Sequence, residues 1–385
     1  MTTASPPPSE LPYHRMARVT DRHSWWRPPL GTLLVFGGWI PAMLVLVVGA
    51  EIAGLLAGLP QLPDDEGTDF GPVVSTALDL LVIAIALPLV LLAVRWVGAR
   101  PAGTVSSVTG RLRVGWLGRC LMAAAAVQAL STTVMLLLPA GETAEDAPAD
   151  VWVGWGPYAA SLTMLILLVP LQAAAEEYVC RGWLFQAVGQ FLRSPWLATL
   201  PQALVFAALH GWGTVWGFVD LLVFGVVVGM LSVRTGGLEA AISLHVVNNL
   251  VAFGFTAAFV DGLLSEETAA DMPWEMAVVD IVSILLYAAL ILWLTPRGPR
   301  PPERLSPLPV TPAALPTPPY PYAHAAPPAY GPYGAVPPPH GPYGAVPPPH
   351  GPYGAVPPPH SAVPPTPGGT LPAGQEGQED ARLTR

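Results

Sequence analysis

The chain contains no lysine: its 17 basic residues are all arginine, against 26 acidic ones, for a formal net charge of −9. Charged residues make up only 11% of its 385 positions, where a soluble domain carries about 25%. That scarcity, with 52% hydrophobic residues and a positive mean hydropathy, excludes an ordinary soluble globular protein and points to a polytopic membrane protein. The arginines are scattered and form no basic tract, so no nucleic-acid partner is expected. Only two cysteines are present, Cys120 and Cys180. Both lie in or beside apolar segments, which argues against a disulfide framework. No secretory leader is expected either. The first apolar run begins near Gly31, exceeds a signal-peptide core and reads as a retained span.

What is present is a series of long apolar runs. A span needs about 20 apolar residues, and candidates fall at 32–56, 73–94, 116–138, 155–177, 196–213, 215–233, 238–259 and 276–295. The expected fold is an all-α, polytopic integral membrane bundle of about eight transmembrane helices, followed by a disordered proline-rich tail. Arginine placement orients it. With the N-terminus inside, Arg15 to Arg27, Arg95 to Arg119, Arg181 to Arg234 and Arg297 to Arg385 all fall on inner segments. The outer loops are acidic instead: Asp64, Asp65, Glu66 and Asp69; Glu142, Glu145, Asp146 and Asp150; Asp261, Glu266, Glu267 and Asp271. The expectation is a multi-pass protein of the cell membrane with both termini cytoplasmic. Its parts are a cytoplasmic N-terminal segment over 1–30, a bundle over 31–295 and a tail over 296–385.

In that tail the decapeptide Gly331-Pro-Tyr-Gly-Ala-Val-Pro-Pro-Pro-His340 recurs at 341–350 and 351–360. Such composition cannot bury a core and favours an extended polyproline conformation. It suits a proline-recognition partner or a solvated spacer. His340, His350 and His360, ten residues apart, make a poor chelate.

Within the spans, Glu51, Asp79, Asp220, Asp280 and Glu239 fall near helix ends, where they can reach the interface. A shorter list of costly polar groups lies deeper: Glu176, Glu177, His210, His245, Asn248 and Asn249. Ionisable groups at such depth usually mark a working site. Glu177 and Arg181 are four apart and can pair, leaving Glu176, turned about 100° away, as the freer carboxylate. Both glutamates could instead simply satisfy arginines at the interface. Phe206 and His210 share one face, as do His245 and Asn249, with Asn248 as a competitor. A His/Asn pair by itself is a common interhelical device. Three different spans converge on this polar set. Together they suit attack of water on a carbonyl, with Glu or His as base and an amide or imidazolium facing the developing oxyanion. The same groups, His210, His245 and Glu176, could alternatively hold a zinc ion with one position open to water. One geometric difficulty remains. If the fourth helix ends near Glu177 at the inner face, straight helices leave a gap between Glu176 and His210.

Glu176-Glu177-x-x-x-Arg181, Phe206-x-x-x-His210 and His245-x-x-x-Asn249, in this order in the membrane segments, resemble the three motifs of the CPBP intramembrane proteases. That family includes the type II CAAX prenyl endopeptidases and the bacterial Abi proteins. The resemblance covers about residues 155–255. It implies that Glu176 activates the hydrolytic water together with His210, and that His245 and Asn249 complete the site and stabilise the oxyanion. Glu177 and Arg181 would support them, with Phe206 packed against the imidazole. Cys180 departs from the pattern, since an aromatic commonly precedes the arginine there. The family was long described as metal-dependent, and a glutamate-type mechanism is now favoured.

The expected function is therefore an intramembrane endopeptidase. It would hydrolyse a peptide bond in a membrane-associated or C-terminal, CAAX-like substrate at a site reached from the cytoplasm. A non-catalytic scaffold or bacteriocin-immunity protein, and a proton-coupled transporter with Glu176 and the histidines as relay, are the alternatives. The arginine-only basic set and Ala/Gly/Pro-rich composition suggest a bacterial, GC-rich source.

Overall fold

The computed structural model describes residues 11–20, 22–63, 67–137, 151–265 and 267–295. The proline-rich repeats, the tail arginines and several acidic loop residues (Asp64, Asp65, Glu66, Glu142, Glu145, Asp146, Asp150 and Glu266) lie outside the described residues. Among the described residues the chain is helical and forms no β-strand, only isolated bridges such as Ser107 with Gly237.

The helices are α1 (Arg27–Ala57), α2 (Gly71–Ala84), α3 (Ala86–Leu92), α4 (Val114–Leu137) and α5 (Trp155–Glu177), then α6 (Phe185–Gly189), α7 (Pro195–Leu209), α8 (Val215–Thr235), α9 (Glu239–Thr256) and α10 (Trp274–Leu294). Their ends follow local chemistry. Ser194 caps α7 by accepting from the Leu197 N–H, and proline takes the first helical position, where a missing N–H costs nothing. Thr214 caps α8 through the Gly217 N–H, 2.9 Å away. That helix stops at Gly236, whose φ of +75° suits glycine.

Among the described residues, six helices are long and apolar enough to cross a membrane: Arg27–Ala57, Gly71–Val97, Val114–Leu137, Trp155–Gly189, Val215–Thr235 and Trp274–Leu294. This multi-pass membrane bundle has two fewer such helices than the eight expected from the apolar runs. The fifth expected span is the short helix α7, 15 residues, which at about 1.5 Å per residue falls short of the roughly 30 Å hydrocarbon core. The seventh is α9, whose apolar character is broken by Glu239, His245, Asn248 and Asn249. These two shorter or more polar helices carry much of the candidate site.

A second correction concerns α5. It does not end at Glu177 but continues through a wide π-helical stretch, Tyr178–Leu184, into α6, so that one helical rod runs from Trp155 to Gly189. Such π segments recur at functional sites. At about 1.5 Å per residue, Glu176 stands about 20 Å from the Gly189 end, and His210 about 22 Å from the start of α7. The two lie at similar depth, and the gap expected from a shorter helix disappears.

Close helix approach follows from small residues, as in membrane bundles generally. In Gly225-Val-Val-Val-Gly229 of α8, a Cβ on Gly225 would lie 2.8 Å from the Ala203 Cβ, and one on Gly229 would strike the Thr199 hydroxyl. Thus α8 holds α7 tightly. The described part of the N-terminal segment packs against the bundle. Tyr13, His14 and Met16 are buried, the Tyr13 hydroxyl donates to the Val105 carbonyl, and the His14 ring stacks on Phe185.

Several acidic residues expected at the interface are also tied into the protein. Glu239 is fully buried and held by Arg113 in a bidentate pair of 2.9 and 2.6 Å. Glu51 accepts from the Thr68 N–H at 3.0 Å, and Asp220 is buried at 3% exposure beside Asp280.

Candidate active site

The site forms where α5, α7, α8 and α9 meet. Glu177 is fully buried, and its Oε1 accepts from two donors: the Arg181 guanidinium at 3.0 Å and the His245 Nδ1 at 2.8 Å. The expected pairing with Arg181 is therefore present. The additional bond to His245 was not legible from helical spacing, because it joins α5 to α9. A carboxylate only accepts here, so His245 carries a proton on Nδ1 and turns Nε2 toward Glu176, whose Oε2 is 3.6 Å away. A carboxylate that fixes the tautomer and orientation of a histidine is a recurrent device in catalytic sites.

Arg181 is buried at 0% exposure. Its guanidinium lies over the Phe206 ring at 4.2 Å and faces Phe224 at 5.4 Å. Phe206 and Phe224 stack on each other and both meet the edge or face of His245. Phe206 is thus a partner of three site residues, since the His210 ring also packs on it at 4.6 Å. Phe224 belongs to this cage, and no motif in the sequence points to it.

Glu176 is the more accessible of the two glutamates, its side chain 19% exposed. Its Oε1 accepts from Gln172 Nε2 at 2.6 Å, and the Gln172 carbonyl oxygen accepts from Asn249 Nδ2 at 3.1 Å. Its Oε2 has no hydrogen-bond partner within the protein. Gln172 is a further residue that the sequence reading passed over. The available signal was its position one turn before Glu176 on the same face, at the end of a long apolar run. Asn249 rather than Asn248 makes the interhelical bond.

His210 terminates α7 and donates from Nδ1 to the carbonyl of Phe206 at 2.8 Å, which leaves its Nε2 as the unprotonated nitrogen. Thr268 donates to the His210 carbonyl at 3.1 Å, tying this corner to the loop before α10. Among the described residues no hydrogen bond or ion pair joins His210 to Glu176 or His245. The connection is the shared Phe206 ring.

The possible zinc set of His210, His245 and Glu176 does not fit this arrangement. Among the described residues, no three His, Cys, Asp or Glu side chains are grouped to hold a metal ion. The His210 and His245 rings each pack on Phe206 rather than on one another. No chemical step is therefore routed through a metal.

What the groups present can do is acid–base chemistry. One carboxylate oxygen is held by an amide, the other stands free opposite an imidazole nitrogen, and a second imidazole lies across an aromatic ring. Comparison with known proteins places a family match over the same residues. No solved structure matches the chain. It is 29% identical over 247 residues to the uncharacterized protein YyaK of Bacillus subtilis, a match covering 60% of this chain and 78% of the relative. Residues 158–251, which contain every candidate site residue, match the family model described as type II CAAX prenyl endopeptidase, Rce1-like. Over this stretch, which holds Glu176, Glu177, His210 and His245, the chain is similar to the Rce1-like type II CAAX prenyl endopeptidases.

Proposed function

We propose that the protein is an intramembrane endopeptidase that hydrolyses a peptide bond of a membrane-associated or C-terminal, CAAX-like substrate, with Glu176 as the general base. The observation that carries this reading is the division between the two adjacent glutamates. Glu177 is neutralised by Arg181 and spends its Oε1 on orienting His245. Glu176 keeps Oε2 unpartnered, 3.6 Å from His245 Nε2. A water placed beside these two atoms and hydrogen-bonded to them would lose its proton to Glu176 as its oxygen attacks the substrate carbonyl. The proton then passes to the leaving amine. His210, with Nε2 unprotonated in its hydrogen-bonded form, can hold the same water or, once protonated, face the oxyanion. Seating the site at mid-depth among apolar helices excludes bulk water and strengthens each of these interactions.

The arginine-rich ends of the helices suit a cytoplasmic face, with both termini on that side. The lipid bilayer surrounds the bundle, and the proline-rich tail beyond it suits a proline-recognition partner.

The test uses the full chain, purified and reconstituted, on a library of peptides that includes lipidated C-termini. Wild type should cleave a subset, and Glu176→Gln and His245→Ala should each lower kcat by about 10²- to 10⁴-fold, the usual contribution of a positioned acid or base. If wild type cleaves nothing that the two variants spare, the peptidase reading fails. Glu176-dependent proton-coupled uptake in liposomes would replace it with a transporter.

A further inference from the structure

Asn249, Gln172 and Glu176 form a continuous polar chain between α9 and α5. The Asn249 Nδ2 donates to Gln172 Oε1 at 3.1 Å, and Gln172 Nε2 donates to Glu176 Oε1 at 2.6 Å. Gln172 is buried at 4% exposure, so its amide is not free to turn toward solvent. The Glu176 carboxylate only accepts, so the Gln172 N–H turns to it and the Gln172 oxygen to the other side, where Asn249 meets it with a donor. The consequence falls on Glu176. One of its two oxygens is fixed, and the other is left for His245 Nε2 at 3.6 Å.

We propose that Gln172 is a positioning residue for the reaction, the middle of an amide relay through which Asn249 orients the Glu176 carboxylate. This rests on the peptidase reading above and deepens it. It shifts the role of Asn249: one of its two N–H donors is committed to Gln172, and Asn249 acts on the base through Gln172. The relay explains why Glu176 needs no charged partner to hold its rotamer, whereas Glu177 has Arg181. It also gives α9 two separate grips on successive turns of α5, His245 on Glu177 and Asn249 on Gln172. A glutamine suits the middle place because its amide presents an acceptor and a donor on one planar group without adding charge. The titratable groups facing Glu176 are His245 from α9 and Cys180 on its own helix. A charge introduced at Gln172 would be felt directly.

The experiment measures kcat and KM of the full chain on a peptide that wild type cleaves in a Glu176-dependent way, for Gln172→Leu, Asn249→Leu and the double variant. Misplacing a catalytic group by about an ångström costs up to about 100-fold. Each single variant should therefore lose about 10- to 100-fold in kcat, with KM changed less than about twofold. The double variant should be no worse than the more impaired single one, because residues acting as a unit are not additive. Multiplied losses, or wild-type kcat in Gln172→Leu, overturn the relay. A second variant, Gln172→Glu, keeps the size and the acceptor for Asn249 but has no donor for Glu176 until it is protonated. Its activity relative to wild type should be low at pH 8 and recover as the pH falls, and a ratio flat with pH overturns the relay. Absence of any Glu176-dependent cleavage by wild type overturns the peptidase reading itself, and the relay with it.

Discussion

His245 Nδ1 lies 2.8 Å from Oε1 of Glu177, a residue 68 positions earlier in the chain. This contact locks α9 onto α5 and converts two motifs that look independent in sequence into one unit. Arg181 completes it on the other side of the same oxygen. The cluster therefore combines structural cost and chemical purpose: a buried carboxylate is tolerated because a guanidinium compensates it, and it aims a histidine in return.

Replacing Arg181 by Met should destabilise the bundle by about 3–5 kcal/mol, the usual consequence of leaving one member of a buried ion pair alone. Arg181→Lys should recover only part of this. A lysine keeps the charge but has no planar face to lie on Phe206 and Phe224. Unfolding in a mild detergent, followed by denaturant titration, reads both. Equal stability of the Lys variant and wild type would show that the aromatic contacts contribute nothing.

Gly225→Val should wedge α7 away from α8, because a Cβ at this position already lies 2.8 Å from the Ala203 Cβ. Overpacking of this kind costs about 1–3 kcal/mol. Since α7 carries Phe206 and His210, cleavage activity should fall more than stability does. A thermal melt run beside a kcat measurement separates the two, and an unchanged kcat would show that α7 position is not critical.

Arg113→Met should destabilise more than the double replacement Arg113→Met with Glu239→Leu. Glu239 is fully buried and bonded to Arg113 side chain and backbone N–H alike. The single change strands a charge, and the double change removes both. Comparable losses in the two proteins would argue that the pair is not compensated in this way.

Acidification should loosen the N-terminal segment through His14. Burial holds this imidazole below its ordinary value of about 6.5, and the neighbouring Arg15 charge adds to the effect. Its Nε2 donates to the Arg193 carbonyl, while Nδ1 has no partner. The folded state thus binds the proton less readily than the unfolded one. The stability contributed by neutral His14 is present above about pH 6.5 and is lost as pH falls below it. Melting temperatures at pH 7.5 and 5.5 should differ more for wild type than for His14→Gln. Parallel pH profiles would remove His14 from the account.

Much of the site was legible in the sequence because its signals are local. Glu177 with Arg181, Phe206 with His210 and His245 with Asn249 are each one helical turn apart, and one turn is the distance at which a helix makes neighbours. Costly polar residues in apolar runs marked the same positions. The number of long apolar helices was less legible. Both α7 and α9 read as full spans from their apolar runs, whereas α7 is short and α9 is interrupted by the polar groups of the site. Gln172 escaped notice because an uncharged amide carries no cost signal in a sequence until its partners are known.

By itself, then, the sequence determined that this is a helical membrane protein, that its motif-bearing core falls within about 155–255, and which residue faces could carry chemistry. These follow from hydrophobic burial and helical periodicity, both properties of short stretches of chain. Only the tertiary structure decided that the fifth helix continues through a π turn to Gly189, bringing Glu176 to the depth of His210. It also decided that His245 bonds Glu177 while facing Glu176, and that Asn249 reaches the glutamate through Gln172. Those relationships depend on the lengths and crossings of separate helices, where an ångström decides which polar atom finds a partner, and no local rule carries that distance.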